Sequence, residues 1–141
     1  MIIVYSMPSC SSCKKAEEWL RAHELKFKEV NLLTDGITKE DILKILSLTD
    51  EGAEDIISKR SKAYSQLEVN FNNVSMNDLI NIIEDNRTIL RRPLILDNYK
   101  LQIGFNEDEI RKFIPRSYRK AKLDQDINQI SKSLNFEEPT N

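Results

Sequence analysis

Cys10 and Cys13 stand as C-x-x-C and are the only two cysteines in the chain. On a helix this spacing puts the thiols one turn apart, within disulfide reach. A tetrahedral zinc site needs four ligands, and the two thiols with His23, the single histidine, supply three at most. Burial as inert structural thiols fits poorly with Ser9, Ser11 and Ser12, which surround the pair with hydroxyls. Redox chemistry is the reading these residues favour. A pair of thiols makes no disulfide framework, so the implied compartment is a reducing one.

The elements that would position the pair can be read on either side of it. Ile2 to Tyr5 is a β-branched and aromatic run, stopped by Pro8. From about Ser12 to His23, Ala16, Trp19 and Leu20 recur at helical spacing. Cys10 therefore falls at a helix N-terminus, facing unpaired N–H groups and the positive end of the helix dipole. Both favour thiolate, so Cys10 is expected to be more acidic than a free thiol of pKa about 8.5. Lys14 and Lys15 add positive charge nearby, and His23 sits where it can interact with the other end of the dipole.

Leu25 to Leu33 reads as a second strand, and Asp35-Gly36 breaks the chain after it. The middle is helical. Thr38 with Asp41 resembles a capping box ahead of Ile42, Ile45 and Leu46, and Ser75 with Asp78 opens a helix whose stripe is Met76, Leu79, Ile80 and Ile83. Between them, Thr49 to Gly52 interrupts before a helical stretch through Ile56 and Ile57, and Gly52 is expected to end a helix. Leu94 to Leu96, opened by Pro93, and Leu101 to Ile103 flank Asp97-Asn98 as a hairpin. Asn106 with Glu109 caps a further helix with the stripe Ile110, Phe113 and Ile114, which Pro115 ends. Leu123, Ile127, Ile130 and Leu134 permit an amphipathic tail helix, followed by a flexible end from Asn135.

The expected fold is therefore α/β, a four-stranded mixed sheet of thioredoxin type built as βαβ then ββα, with a helical insertion at about 38–90. The domain runs over 1–118, and 119–141 forms a C-terminal helix and tail. Arg60 and Arg92 are either candidates for pairing with a thiolate or oxyanion or, read on their own, surface arginines. Pro93 beside them is a candidate for a cis bond, which about 5–6% of X–Pro bonds in folded proteins adopt. The three glycines, Gly36, Gly52 and Gly104, form neither a dinucleotide fingerprint nor a phosphate-binding loop. No cofactor or metal is expected.

Bulk composition narrows the function classes. With 141 residues, 40% hydrophobic and 31% charged, the chain reads as one soluble globular domain. No apolar run is long enough for a transmembrane helix, and the N-terminus lacks the pattern of a signal peptide, so the expected location is cytoplasmic. A net charge of −2 argues against a free-standing DNA-binding protein. Arg111 to Lys122 nevertheless holds six basic residues and no acidic one. That segment is either a solvated helix end or a phosphate-contacting patch that works only beside a partner. Arg119, Lys120 and Lys122, with Lys62, are the candidate DNA contacts.

Four blocks, PSCSSCKKA, LTDEGAEDIISKRSKAY, ILRRPLILD and LQIGFNEDEIRKFIPR, together resemble the Spx regulators of the arsenate reductase-like branch of the thioredoxin superfamily. The likeness runs from about Met1 to Pro115 in the same order and spacing. It implies a transcriptional regulator that answers thiol-oxidative stress. Such a regulator binds the C-terminal domain of the RNA polymerase α subunit, and promoter DNA only together with polymerase. By match, Cys10 and Cys13 form the sensing disulfide, and Gly52 with Asp50 and Glu51 lies at the polymerase contact. Arg92 sits near the redox centre, and Arg60 takes the place of an anion-binding arginine in the reductases. The resemblance also implies turnover by a Clp protease and its adaptor, a pattern from which the polar end Glu137-Glu138-Pro139-Thr140-Asn141 departs. The alternative is an enzyme, a thiol–disulfide oxidoreductase or arsenate reductase. Glutaredoxin-coupled arsenate reductases carry an arginine four residues after a solitary cysteine. Here Lys14 stands in that place with Cys13 before it, which weighs against arsenate chemistry.

Overall fold

The computed structural model describes residues 1–71 and 73–133, with the backbone alone for 116–122 and 133. Leu134 and the tail expected to be flexible lie outside the described residues. The chain divides into two compact units, Met1–Ile110 and Arg111–Asn141.

The first unit is built on a four-stranded mixed sheet in the order β2-β1-β3-β4. The strands are β1 (Ile2–Ser6), β2 (Phe27–Asn31), β3 (Leu94–Leu96) and β4 (Leu101–Ile103). β1 runs parallel to β2 and antiparallel to β3, and β3 pairs antiparallel with β4. The crossover from β1 to β2 is helix α1 (Ser11–Ala22). Asp97 shapes the β3–β4 hairpin, its Oδ1 accepting from the Tyr99 and Lys100 N–H groups at 2.8 Å each.

Strand periodicity sorts the sheet into two faces. Glu29, Val4, Ile95 and Gln102 stand in register across all four strands and share one face. Helix α1 covers β1 there with its buried positions Cys13, Ala16, Glu17 and Leu20. The opposite face carries Tyr5, Leu94 and Leu96, which enter one apolar cluster with the helices of the insertion. Those helices are α2 (Lys39–Ser47), α3 (Ala53–Ile56), α4 (Lys62–Ser65) and α5 (Met76–Asp85). Tyr5 is buried, and its hydroxyl meets the Asp41 side chain of α2. Burial first, and then the Asp41 charge and hydrogen bond, push that phenol well above its usual range.

The caps expected from the sequence form. Thr38 Oγ1 accepts from Asp41 N–H at 3.1 Å, and Ser75 Oγ from Asp78 N–H at 3.2 Å. Each satisfies a donor that would otherwise be left over at a helix start, worth about 1 kcal/mol. Gly52 differs from expectation. Helix α2 ends at Ser47, and Gly52 stands at the head of α3, with φ 80° and ψ −140°. The segment after Asn106 also departs from it. Asn106 Oδ1 accepts from the Asp108 and Glu109 N–H groups, but the turn that follows, Glu109–Phe113, is 3-10 and not α.

The second unit carries helix α6 (Arg116–Ser133). Its expected apolar stripe is present as a pattern, yet Leu123, Ile127 and Ile130 are exposed.

On α5 the stripe is narrower than the sequence pattern: Leu79, Ile80 and Ile83 are buried and Met76 is exposed. Ile83→Ala should therefore cost about 2–5 kcal/mol by urea unfolding, as transfer and cavity terms combine. Met76→Ala should stay within about 0.5 kcal/mol.

Candidate functional site

The site is organised by the start of α1. Pro8 and Ser9 turn the chain out of β1, with Ser9 in the left-handed region at φ 62°. Cys10 is the N-cap, in extended conformation, and its Sγ accepts from the Cys13 N–H at 3.2 Å. The sulfur thus takes the place usually filled by a hydroxyl or carboxylate oxygen. Cys10 and Cys13 form a disulfide, their Cα atoms 5.2 Å apart. The two sulfurs belong to different surroundings. Cys10 is half-buried on the rim, whereas Cys13 is only 2% exposed. An attacking thiol or an oxidant meets Cys10 first.

Beside Cys10 lies a cavity of about 400 Å³, lined among others by Met7, Ser9, Ser58, Arg91 and Arg92. The Arg92–Pro93 peptide bond is cis. Arg92 Nη1 donates to Met7 Sδ at 3.0 Å, Thr88 O at 3.2 Å and Leu90 O at 3.5 Å. Its guanidinium is engaged with backbone carbonyls and a thioether; among the described residues no hydrogen bond joins it to either cysteine. Arg60 is exposed and lines a neighbouring cavity of about 540 Å³ with Glu51, Glu54, Ser58 and Arg91. The structure therefore brings Arg92, Pro93 and the disulfide to one place and sets Arg60 at the next.

The loop carrying Asp50, Glu51 and Gly52 is tied down by Asp55, whose Oδ2 accepts from the Asp50 N–H at 3.0 Å and the Glu51 N–H at 2.9 Å. The Asp50 and Glu51 side chains are left exposed. Nothing lies within 4 Å of a Cβ built on Gly52, so a side chain there would meet open space but strained backbone. The loop and the cavity beside Cys10 are connected through the backbone. Ile57 bridges Leu90, Ser58 N–H donates to Ile89 O at 2.7 Å, and Arg91 N–H donates to Ile56 O at 2.8 Å.

Two contributors escaped the sequence reading. Arg91, one residue before Arg92, lines both cavities, and its Nη1 reaches Asp55 O at 3.5 Å. Glu17 reads as one more charged helix position, yet it is only 7% exposed. The glutamate standing at the i+4 position from the buried Cys13 was the available signal. His23 closes the far end of α1, Nδ1 lying 2.8 Å from Trp19 O and the ring stacked on Trp19 at 3.8 Å. Lys62 is exposed on α4, while Arg119, Lys120 and Lys122 fall on α6, their side chains outside the described residues. Among the described residues there is no group of three or more metal-ligating side chains, and no helix long and apolar enough to cross a membrane.

Burial, and next the Glu29 carboxylate, raise the Glu17 carboxyl above its ordinary value of 4.5, against a smaller opposing effect of Arg21. Glu17 therefore keeps its proton in the fold at a pH where the unfolded chain has lost it. Its contribution to stability is whole below the unfolded value and is lost as pH rises through the raised one. Urea unfolding of the native chain and of Glu17→Gln across this window should diverge. Glu17→Gln should gain stability relative to the native chain as pH rises above 4.5.

The ArsC family profile matches residues 5–113. A protein from Streptococcus mutans named "Global transcriptional regulator Spx" is 50% identical over 125 residues, covering 89% of this chain and 91% of its own. Another of that name, from Lactiplantibacillus plantarum, is 50% identical over 87% of this chain and 93% of its own. Among solved structures, an arsenate reductase from Vibrio cholerae superposes with a TM-score of 0.69 at 15% identity, over 80% of this chain and 97% of its own, a likeness of fold alone.

Proposed function

Given that the chain belongs to the ArsC family and, within it, to the Spx global transcriptional regulators, we propose that it senses thiol-oxidative stress through Cys10 and Cys13. Its output is a change in promoter choice, made in the cytoplasm by binding the C-terminal domain of the RNA polymerase α subunit. The observation that carries this reading is the ladder between residues 56–58 and 89–91, which runs from the edge of the cavity beside Cys10 toward the loop at Gly52. A chemical change at Cys10 thus has a short mechanical path to a partner surface.

The chemistry is a two-electron oxidation. Two thiols release two protons and pass two electrons to a disulfide- or diazene-class oxidant as the S–S bond closes. In the reduced chain a Cys10 thiolate competes for Arg92 with the Thr88 and Leu90 carbonyls. Closure removes that charge and leaves Arg92 to hold the carbonyls, as it does with the disulfide formed. That steadies the segment which pairs with Ile57 and Ser58, and through it the loop. The exposed Asp50 and Glu51 beside a side-chain-free Gly52 offer an acidic surface open to close approach.

DNA contact is secondary. An acidic chain has little affinity of its own for phosphate, but beside the α subunit its basic residues act at high effective concentration. Lys62, Arg119, Lys120 and Lys122 are the residues proposed for it. The chain is not proposed as an enzyme: Lys14 stands where the reductases place an arginine.

Diamide treatment should remove both free thiols and join Cys10 to Cys13 within one chain, read by thiol counting and peptide mass. Two free thiols or intermolecular dimers would sink the switch. Gly52→Arg should abolish pull-down of the C-terminal domain of the α subunit, with an unchanged circular dichroism spectrum and normal disulfide formation. Normal binding by that variant would mean the interface lies elsewhere.

A further inference from the structure

Disulfide chemistry at this site poses a proton problem. When an external thiolate attacks Cys10 Sγ, the S–S bond breaks and its electron pair leaves on Cys13 Sγ. That sulfur is almost wholly buried. An unprotonated thiolate there is costly, so a proton has to reach it from inside the fold.

Among the described residues, Glu17 is the buried ionisable group on that side. Among the described residues the buried polar or charged side chains are Ser6, Glu17 and Gln102, and of these only Glu17 titrates in an accessible range. Glu17 stands one turn after Cys13 on the same buried face of α1, where side chains at i and i+4 are neighbours. Its Oε1 is buried and has no ordinary hydrogen-bond partner. Its contact across the layer is another carboxyl group, Glu29 of β2, which is exposed and accepts from Ser6 Oγ of β1 at 2.9 Å. From its own helix Arg21 approaches Glu17 only to 3.8 Å. Two carboxyl groups make a hydrogen bond only when one of them keeps a proton.

We propose that Glu17 is the proton donor and acceptor for the buried Cys13 sulfur, with Glu29 as its outlet to solvent. The inference rests on the redox reading of this site. In the reducing direction the Glu17 proton moves to Cys13 Sγ as the disulfide opens, and a second external thiol then releases Cys10 from the mixed disulfide. The sum is one protein disulfide and two thiols giving one protein dithiol and one external disulfide. In the oxidising direction, ionised Glu17 takes the Cys13 proton as that sulfur attacks a mixed disulfide on Cys10.

The test follows closure of the Cys10–Cys13 disulfide from reduced full-length chain and oxidised glutathione. Samples are acid-quenched and read by mass, from mildly acidic to mildly alkaline pH. In the native chain the closure rate should rise in a step below the pH at which the thiols themselves titrate. Glu17→Gln, close in shape and able to donate to Glu29, should lose that step and close roughly tenfold or more slowly above it. Glu17→Asp should keep a step. Glu29→Gln, which removes the neighbouring negative charge, should move the step to lower pH. This variant carries the test by itself should Glu17→Gln fail to fold. An unchanged rate profile in Glu17→Gln, or an unmoved step in Glu29→Gln, overturns the inference while leaving the switch intact. Failure of the native chain to form the disulfide at all overturns the switch, and this inference with it.

Discussion

Helix α1 can begin in only one way on this sheet, and the site depends on it. Cys13, Ala16, Glu17 and Leu20 must be buried for the helix to cover β1, which fixes its rotation. Once the rotation is set, Cys10 becomes the N-cap and stays on the rim, while Cys13 goes beneath. One spacing thus yields two sulfurs in unlike surroundings, one on the rim and one beneath. The same rotation drives Glu17 into the layer between helix and sheet. A carboxyl group there is tolerable because it keeps its proton, and its neighbour Glu29 opens to solvent.

The scaffold is shared with arsenate reductases, and a shared fold does not carry a shared reaction. In this chain a second thiol follows the first, and Arg92 is bound to carbonyls at the end of the insertion. Those carbonyls belong to the segment that pairs with residues 56–58. The disulfide and the acidic loop are therefore parts of one backbone arrangement, with Arg91 and Ser58 bordering the cavities of both.

Local signals make much of this legible in the amino-acid sequence alone. The β-branched run before Pro8, the caps at Thr38 and Ser75 and the Asp97 turn act over a few residues, and each forms where its sequence pattern puts it. What escaped was settled by tertiary packing. Met76 matches the α5 stripe but falls outside the covered face, and Leu123, Ile127 and Ile130 repeat correctly on α6 without being buried. Gly52 looked like a helix end because glycine favours such ends; its positive φ instead serves the head of α3, anchored by Asp55 three residues on. Glu17 and Glu29 lie on different elements, and only the crossover of α1 over β1 brings them together. No local pattern announces such a pair.

We propose that the disulfide, by its effect on the loop at Gly52, changes what polymerase does. Run-off transcription from a thiol-homeostasis promoter with purified RNA polymerase tests it most directly. The chain would be added reduced, diamide-oxidised, or as Cys10→Ser treated with diamide. The oxidised chain should raise the transcript, while the reduced chain and Cys10→Ser should not. Equal stimulation by all three would contradict it, and so would none from the oxidised chain.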